Sequence, residues 1–256
     1  RRNIAFIGPG GIGKTHLALE VGRRVESLYP DGACFVDLAP VRHPGLLRQA
    51  IAQSVAGLSD HGAPSVDDLI DWLRPRQMFI VLDNFEHLVT AARDVAELLT
   101  ACPSLTILIT SRELLRIRAE HAYEVPPLAL PEADSQLTLE ELARIPAVEM
   151  FVERAEAAHH FFALNPENAS VVTEIVNRVD GVPLAIELAA ARIRMLSPAA
   201  LRDRLEPRLP VLTGGAVDLP ERQRAMQAAI AWSYDLLDPA EQRLFRHLAV
   251  FVGGFT

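Results

Sequence analysis

The chain is poor in several features that would restrict its function class, beginning with cysteine. Only Cys34 and Cys102 occur, and neither belongs to a Cys-x-x-Cys pair, so we expect two buried, reduced thiols. Apolar runs never approach the roughly 18 residues of a membrane span. The first residues lack the charged, apolar and small-residue order of a signal peptide. These absences predict a cytoplasmic protein with no membrane segment.

Positive charge is also in deficit, since the formal net charge is −8. An acidic chain is a poor non-specific binder of nucleic acid or anionic membrane. We therefore expect contact with DNA only through effector domains outside this chain. Hydrophobic residues make up 50% of the sequence, enough for a real core. Both ends fall within apolar segments, so we expect a piece of a longer protein.

Strand-like and helix-like segments alternate through the first half of the chain. This alternation predicts a doubly wound α/β domain with a parallel sheet over residues 1–128. The first, third and fourth strand candidates are continuous apolar runs, which is typical of strands buried on both faces. The strand candidates lie at residues 4–7, 33–38, 78–83, 105–110 and 122–125. The helix candidates between them lie at 14–27, 45–55, 66–73 and 88–100.

The composition changes after this domain. Prolines and acidic residues predict a linker at 129–146. Only helical patterns follow, at 148–158, 167–179, 183–196 and 198–205, which predicts a small helical domain at 147–206. The helical pattern is interrupted after residue 206 by a stretch that contains Gly214-Gly215, so residues 207–256 form a further segment.

Residues 8–15, GPGGIGKT, match the phosphate-loop pattern G-x-x-x-x-G-K-[ST] between an apolar strand and a helix. Backbone N–H groups can surround a phosphate only where side chains are absent, and the following helix N-terminus adds positive potential. Lys14 would supply a cation for the β- and γ-phosphates, and Thr15 a hydroxyl for Mg²⁺. The predicted nucleotide contacts are Gly8, Pro9, Gly10, Gly11, Ile12, Gly13, Lys14, Thr15 and His16.

The same glycines leave an alternative open. Gly8, Gly10 and Gly13 also fit the dinucleotide-binding pattern G-x-G-x-x-G, and Asp37 ends the second predicted strand, where a ribose-binding acid belongs. Lys14 favours the phosphate loop, because the dinucleotide loop needs no cation there. Asp37 then has a structural role.

The third predicted strand ends in Asp83, which has the Walker B form and would hold Mg²⁺ through water. A cap for the next helix is the alternative role. Residue 84 is Asn, which cannot accept a proton from attacking water. Glu86 either reaches the site or is a solvated surface residue. This pattern predicts slow ATP hydrolysis.

Arg112 follows the fourth predicted strand. In the additional-strand class of phosphate-loop folds, that strand lies between the two that carry the Walker motifs. Arg112 would then sense the γ-phosphate and complete a catalytic set with Lys14 and Asp83. The alternative is an ion pair with a surface acid such as Glu113.

Taken together, these motifs resemble the NB-ARC/STAND family of P-loop signalling ATPases, especially its bacterial LuxR-type and antibiotic-regulator branch, which is SARP-like. The resemblance covers nearly the whole chain. It rests on GPGGIGKT at 8–15, VLDNFEHL at 81–88, TSR at 110–112, GVPLAIELAA at 181–190 and AWSYDLL at 231–237.

The resemblance implies ATP or ADP as the bound nucleotide, with Mg²⁺, and a winged-helix domain that starts within 207–256. It implies that Pro183 packs against adenine, although a helix-start proline fits equally well. It also implies an ADP-bound monomer and ATP-dependent self-association. A slow ATPase used as a switch is the main hypothesis. The alternatives are a turnover ATPase of AAA type, a small-molecule kinase, or a scaffold that has lost its nucleotide.

Overall fold

The computed structural model describes residues 2–55, 65–118, 120–132, 137–205, 211–213, 215, 224–235, 237 and 239–248. The chain forms two compact units. Unit 1 comprises Arg1–Pro9 and Gly13–Pro126, and unit 2 comprises Gly10–Ile12 and Pro127–Thr256. Within the described ranges, each helix is too short or too polar to cross a membrane.

Unit 1 is built on a five-stranded sheet in which every pair of neighbouring strands is parallel. The strands are β1 (Asn3–Ile7), β2 (Ala33–Asp37), β3 (Phe79–Asp83), β4 (Thr106–Ser111) and β5 (His121–Glu124). Each predicted strand is present, with its ends shifted by one residue at most. The predicted α/β class is confirmed.

The strand order is β2-β3-β4-β1-β5, so β4 lies between β1 and β3. This is the order predicted for the additional-strand class of phosphate-loop folds. A dinucleotide-binding sheet would place β2 directly beside β1. Here β2 is at the edge and pairs only with β3. The dinucleotide alternative is therefore wrong.

In the described residues of unit 1, the sheet is accompanied by the α-helices α1 (Lys14–Val25), α2 (Leu47–Val55), α3 (Leu69–Leu73) and α4 (Ala92–Ala101). The helix predicted over 88–100 differs in the structure, because a 3₁₀ segment covers Phe85–Ala91 before α4 begins. Asn84 starts that segment in the left-handed region and Leu88 leaves helical geometry at φ −116°. The 3₁₀ segment at residues 88–91 thus replaces the first turn of the expected α-helix.

The two central strands β3 and β4 carry buried polar residues at their carboxyl ends. All residues of β3 and β4 are buried, including Asp83, Thr110 and Ser111 at their carboxyl ends. Because parallel strands end at the same edge, these side chains are placed close to the loop that follows β1.

Unit 2 is helical. Its helices are α5 (Leu139–Ala143), α6 (Pro146–Ala158), α7 (Ala169–Arg178), α8 (Pro183–Ala190), α9 (Pro198–Arg204), α10 (Met226–Asp235) and α11 (Pro239–Leu248). The predicted linker 129–146 is thus partly structured. Thr138 and Glu141 form a reciprocal capping box at the start of α5, which satisfies two helix N–H groups.

A second helix also differs from its prediction. The segment expected to be helical over 183–196 is α8 to Ala190 and a 3₁₀ turn over Ala191–Arg194, a common way for a helix to end. Of residues 207–256, the structure describes 211–213, 215, 224–235, 237 and 239–248. The winged-helix assignment stays a prediction there.

Candidate phosphate-binding site

The loop after β1 adopts a conformation that depends on glycine. Gly11 has φ +82° and Gly13 has φ +94°, and side-chain-bearing residues rarely adopt this region. Gly13 is also the N-cap of α1, and its carbonyl accepts the Leu17 N–H at 2.9 Å. Because Gly13 has no side chain, it cannot satisfy the first N–H groups of α1 itself. Those groups suit an anionic ligand.

Lys14 is the only lysine in the chain. Its Nζ donates hydrogen bonds to the carbonyl oxygens of Gly8 at 2.7 Å and Pro9 at 3.0 Å. Burial lowers the pKa of Lys14 from 10.5 to about 8, the nearby Glu86 and Asp83 carboxylates oppose that fall, and Arg112 adds to it. The ammonium group therefore lies within a mixed charge cluster and gains from a further anion.

Thr15 and Asp83 are in direct contact. The Thr15 hydroxyl donates to Asp83 Oδ1 at 2.8 Å, with Oδ2 at 3.1 Å. Thr110 Oγ1 donates to Asp83 Oδ1 at 2.5 Å from the neighbouring strand β4. Burial raises the pKa of Asp83, while the hydrogen bonds from Thr110 and Thr15 counteract the rise. The carboxylate is thus buried, oriented and held at the edge of the sheet.

Asn84 extends this network across three strands. Its N–H donates to Thr110 Oγ1 at 2.9 Å, and Nδ2 donates to Asp83 Oδ2 at 2.8 Å and to Asp37 Oδ1 at 3.4 Å. Asp37 Oδ1 also accepts the Ala39 N–H at 2.9 Å, a local turn contact. Asp37 orders the carboxyl ends of β2 and β3, in line with the structural role expected of it.

Glu86 and Arg112 form an ion pair. Glu86 Oε1 lies 3.3 Å from Arg112 Nε, and the two side chains are 7% and 17% exposed, respectively. Glu86 is therefore not the solvated surface residue that the sequence left open. Arg112 pairs with this buried acid, whereas Glu113 is exposed.

Two further residues, His16 and Pro183, were predicted to contact the nucleotide. His16 is exposed on α1, and its predicted nucleotide contact stays a prediction. Pro183 is the first residue of α8 in unit 2. Two residues before it, Gly181 has φ +66°, and a Cβ there would lie 2.4 Å from the Leu128 carbonyl oxygen. The GVPL segment thus has a local structural requirement, and the adenine contact of Pro183 stays a prediction.

Sequence reasoning missed Thr110 as a site residue. Its hydroxyl connects Asp83 and Asn84, and it lies one residue before the end of β4. The available signal was its position in the TSR segment, since a polar residue within an apolar parallel strand must find a partner. The strand order identifies that partner.

The sheet order and the loop between β1 and α1 define the class of this protein: an α/β phosphate-loop fold of the additional-strand type. Unit 2 adds a separate set of helices.

Comparison with known proteins gives no match to a family model. A Mycobacterium tuberculosis protein named as an HTH-type transcriptional regulator is 43% identical over 256 residues, covering 99% of this chain and 27% of that protein. An uncharacterised M. tuberculosis protein is 35% identical over 256 residues, covering 100% and 62%. The regulatory protein AfsR of Streptomyces coelicolor is 27% identical over 268 residues, covering 97% and 24%. The chain thus spans about a quarter of the two regulators.

Solved structures show more distant likeness. An Aeropyrum pernix ORC2 protein has a TM-score of 0.49 and 16% identity, covering 80% of this chain and 61% of that one. A STAND protein with a tetratricopeptide repeat sensor from Pyrococcus horikoshii has a TM-score of 0.40 and 14% identity, covering 97% and 32%. Similarity at this level identifies no ligand and no shared function.

Proposed function

We propose that this chain is the ATP- and ADP-binding switch of a multidomain bacterial signalling or transcriptional regulator of the NB-ARC/STAND type. The bound nucleotide, rather than rapid turnover, would set the state of the protein. Slow hydrolysis of ATP to ADP and phosphate would reset it.

The contact between Thr15 and Asp83 carries this proposal. A hydroxyl and a carboxylate meet at 2.8 Å beside the glycine-rich loop, and both are oxygen ligands of the kind that Mg²⁺ prefers. Proteins usually hold Mg²⁺ through one or two such groups together with substrate phosphates. The residues therefore fit a magnesium nucleotide, with Thr15 and Asp83 on the metal side.

Lys14 and the start of α1 supply the phosphate side. The ammonium group donates hydrogen bonds to the carbonyls of Gly8 and Pro9, so it already lies beside the glycine-rich loop. Glycine as the N-cap leaves helix N–H groups to an anion. The loop residues 8–15 and His16 would bind the phosphates, and Pro183 would contact adenine.

Asn84 favours a switch over a turnover enzyme. In ATPases that turn over quickly, a carboxylate often follows the Walker B Asp and accepts a proton from the attacking water. Asn84 cannot accept that proton, and its amide is engaged by Asp83 and Asp37. We therefore expect turnover below about 1 s⁻¹, the low end of ordinary enzymes.

The named relatives support the regulatory part of the proposal. Two are called a transcriptional regulator and a regulatory protein, and each is about four times as long as the matched segment. DNA contact would come from effector domains outside this chain, since its own net charge is −8. We propose a monomer with ADP and self-association with ATP, without membrane attachment.

Replacing Lys14 tests the nucleotide site. Lys14→Ala should weaken both ADP and ATP binding by about one to two orders of magnitude, because charge-assisted hydrogen bonds contribute roughly 1.5–3 kcal/mol each. Isothermal titration calorimetry in Mg²⁺ measures both affinities. Arg23→Ala, which removes an exposed positive charge from the same helix, is the matched control and should leave them unchanged.

Equal affinities in the wild type and Lys14→Ala would refute the assignment of the loop. Steady-state turnover by the same preparation, well above about 1 s⁻¹, would instead favour the AAA-type or kinase alternative.

A further inference from the structure

The Glu86–Arg112 pair places a buried counter-ion beside the residue predicted to sense the γ-phosphate. Glu86 lies in the 3₁₀ segment that begins after Asn84, and Arg112 directly follows β4. Both side chains belong to unit 1 and are largely shielded from water. The second carboxylate oxygen of Glu86, Oε2, is buried and accepts no hydrogen bond from the residues that the structure describes.

Charges of both signs meet here before any nucleotide is added. Lys14 and Arg112 are cationic, Glu86 and Asp83 are anionic, and the other three all act on the Lys14 ammonium group. A buried guanidinium needs an anion, because an uncompensated buried charge is strongly unfavourable. Glu86 meets that need when no γ-phosphate is present.

A γ-phosphate changes this balance. If the γ-phosphate approached Arg112, it would compete with the Glu86 carboxylate for one guanidinium, and the two anions would repel each other. ADP carries no γ-phosphate and would leave the pair intact. Glu86 therefore interacts differently with the two nucleotide states, which is the condition for shifting an equilibrium between them.

We propose that Glu86 is a positioning residue that sets the preference between ADP and ATP by competing with the γ-phosphate for Arg112. This inference rests on the proposed nucleotide site. It assigns Glu86 a role in discrimination and not in proton transfer. The carboxylate holds Arg112 in the ADP state and lowers the affinity for ATP.

The test compares affinities of the 256-residue chain for ADP and for a non-hydrolysable ATP analogue, in Mg²⁺, by calorimetry. Glu86→Gln removes the competing charge and keeps the side-chain size. The ratio of analogue affinity to ADP affinity should rise at least about fivefold, the low end of common coupling between sites. ADP affinity itself should change by less than the ratio does.

Two matched variants isolate the mechanism. Glu113→Gln removes an exposed acid one residue from Arg112 and should leave the ratio at the wild-type value. In an Arg112→Gln background, Glu86→Gln should no longer raise the ratio, because the shared guanidinium is gone. A purely structural role for Glu86 would change stability and leave the ratio unaltered.

Glu86→Ala is measured in parallel, with folding checked by circular dichroism, so that a folded form of either variant decides the question. An unchanged ratio in a folded Glu86 variant would overturn the inference. An equal rise of the ratio when Glu86→Gln is made in the Arg112→Gln background would also overturn it. Loss of turnover at an unchanged ratio would overturn it as well, because that result would identify Glu86 as a proton acceptor. If the wild type bound neither nucleotide, the proposed function would be wrong, and this inference, which rests on it, would be wrong as well.

Discussion

The cores of the two units differ in polarity. In the described parts of the chain, the polar residues that are buried as a whole, backbone and side chain together, all belong to unit 1: Asn3, Asp83, Thr106, Thr110 and Ser111. The core of unit 2 is apolar throughout its described residues and packs around side chains such as Phe151 and Ile175. Burying a polar group is costly unless it is hydrogen-bonded. Unit 1 retains such groups where β3 and β4 end, which is where the candidate site lies.

Asn3 shows that burial alone does not mark the site. It lies at the start of β1, and neither Nδ2 nor Oδ1 has a hydrogen-bond partner within the described ranges. Asp83, in contrast, accepts bonds from Thr15, Thr110 and Asn84. The distinguishing feature is a connected network beside the glycine-rich loop.

The largest expected effect tests whether the core of unit 2 depends on packing alone. Phe151 is fully buried in that unit, and Phe151→Ala should lower the free energy of unfolding by about 3–5 kcal/mol through the cavity it leaves. Urea denaturation followed by circular dichroism measures this change. Phe161→Ala is the control, because Phe161 is 80% exposed and should matter by less than about 0.5 kcal/mol. Similar losses in both variants would contradict the comparison.

A smaller effect tests the polar network of unit 1. Thr110→Val keeps the shape of the side chain but removes the donor to Asp83 and the acceptor for the Asn84 N–H. We expect a loss of about 1–3 kcal/mol, since buried partners are left unsatisfied. Thr106→Val, at the other end of β4, should cost less. If the two variants were equally stable in urea, Thr110 would have no special role at the site.

The smallest effect is a pH dependence from Lys14. Its pKa is about 8 in the fold and 10.5 ordinarily, so between these values the unfolded chain binds more protons and stability rises with pH. The Cys34 thiol acts in the opposite sense, because burial raises its pKa from 9.0 to about 11. Subtracting the profile of Lys14→Met from that of the wild type removes the thiol contribution.

At about 1.4 kcal/mol per pKa unit the full shift would be worth roughly 3 kcal/mol. Because Lys14 is partly accessible to water, which screens its charge, we expect the difference to shift in favour of the wild type by on the order of 1 kcal/mol across the window. Chemical denaturation at several pH values provides the profiles. A difference that stays flat between pH 8 and pH 10.5 would show that the ammonium group is not buried as described.

The sequence indicated the residues of the candidate site that belong to continuous motifs. Thr15 and Asp83 were expected on the metal side, and the structure brings them into contact at 2.8 Å. Thr15 lies at the start of α1, which follows β1 and the glycine-rich loop, and Asp83 is the last residue of β3, so their meeting depends only on strand order and the two motifs.

Contacts that depend on local backbone geometry were harder to predict. The burial of Glu86 follows from the left-handed Asn84 and the 3₁₀ segment after it, neither of which was predicted from the sequence. Arg112 had a plausible acidic neighbour in Glu113, but it faces Glu86 across two strand ends. A pattern of residue types contains little information on such turns.

The single lysine has a practical consequence for anyone handling this protein. Among the side chains of the 256-residue chain, only Lys14 offers an amine to amine-coupling reagents. Attachment to a biosensor surface through that side chain would obstruct the glycine-rich loop, and a fluorophore coupled there would do the same.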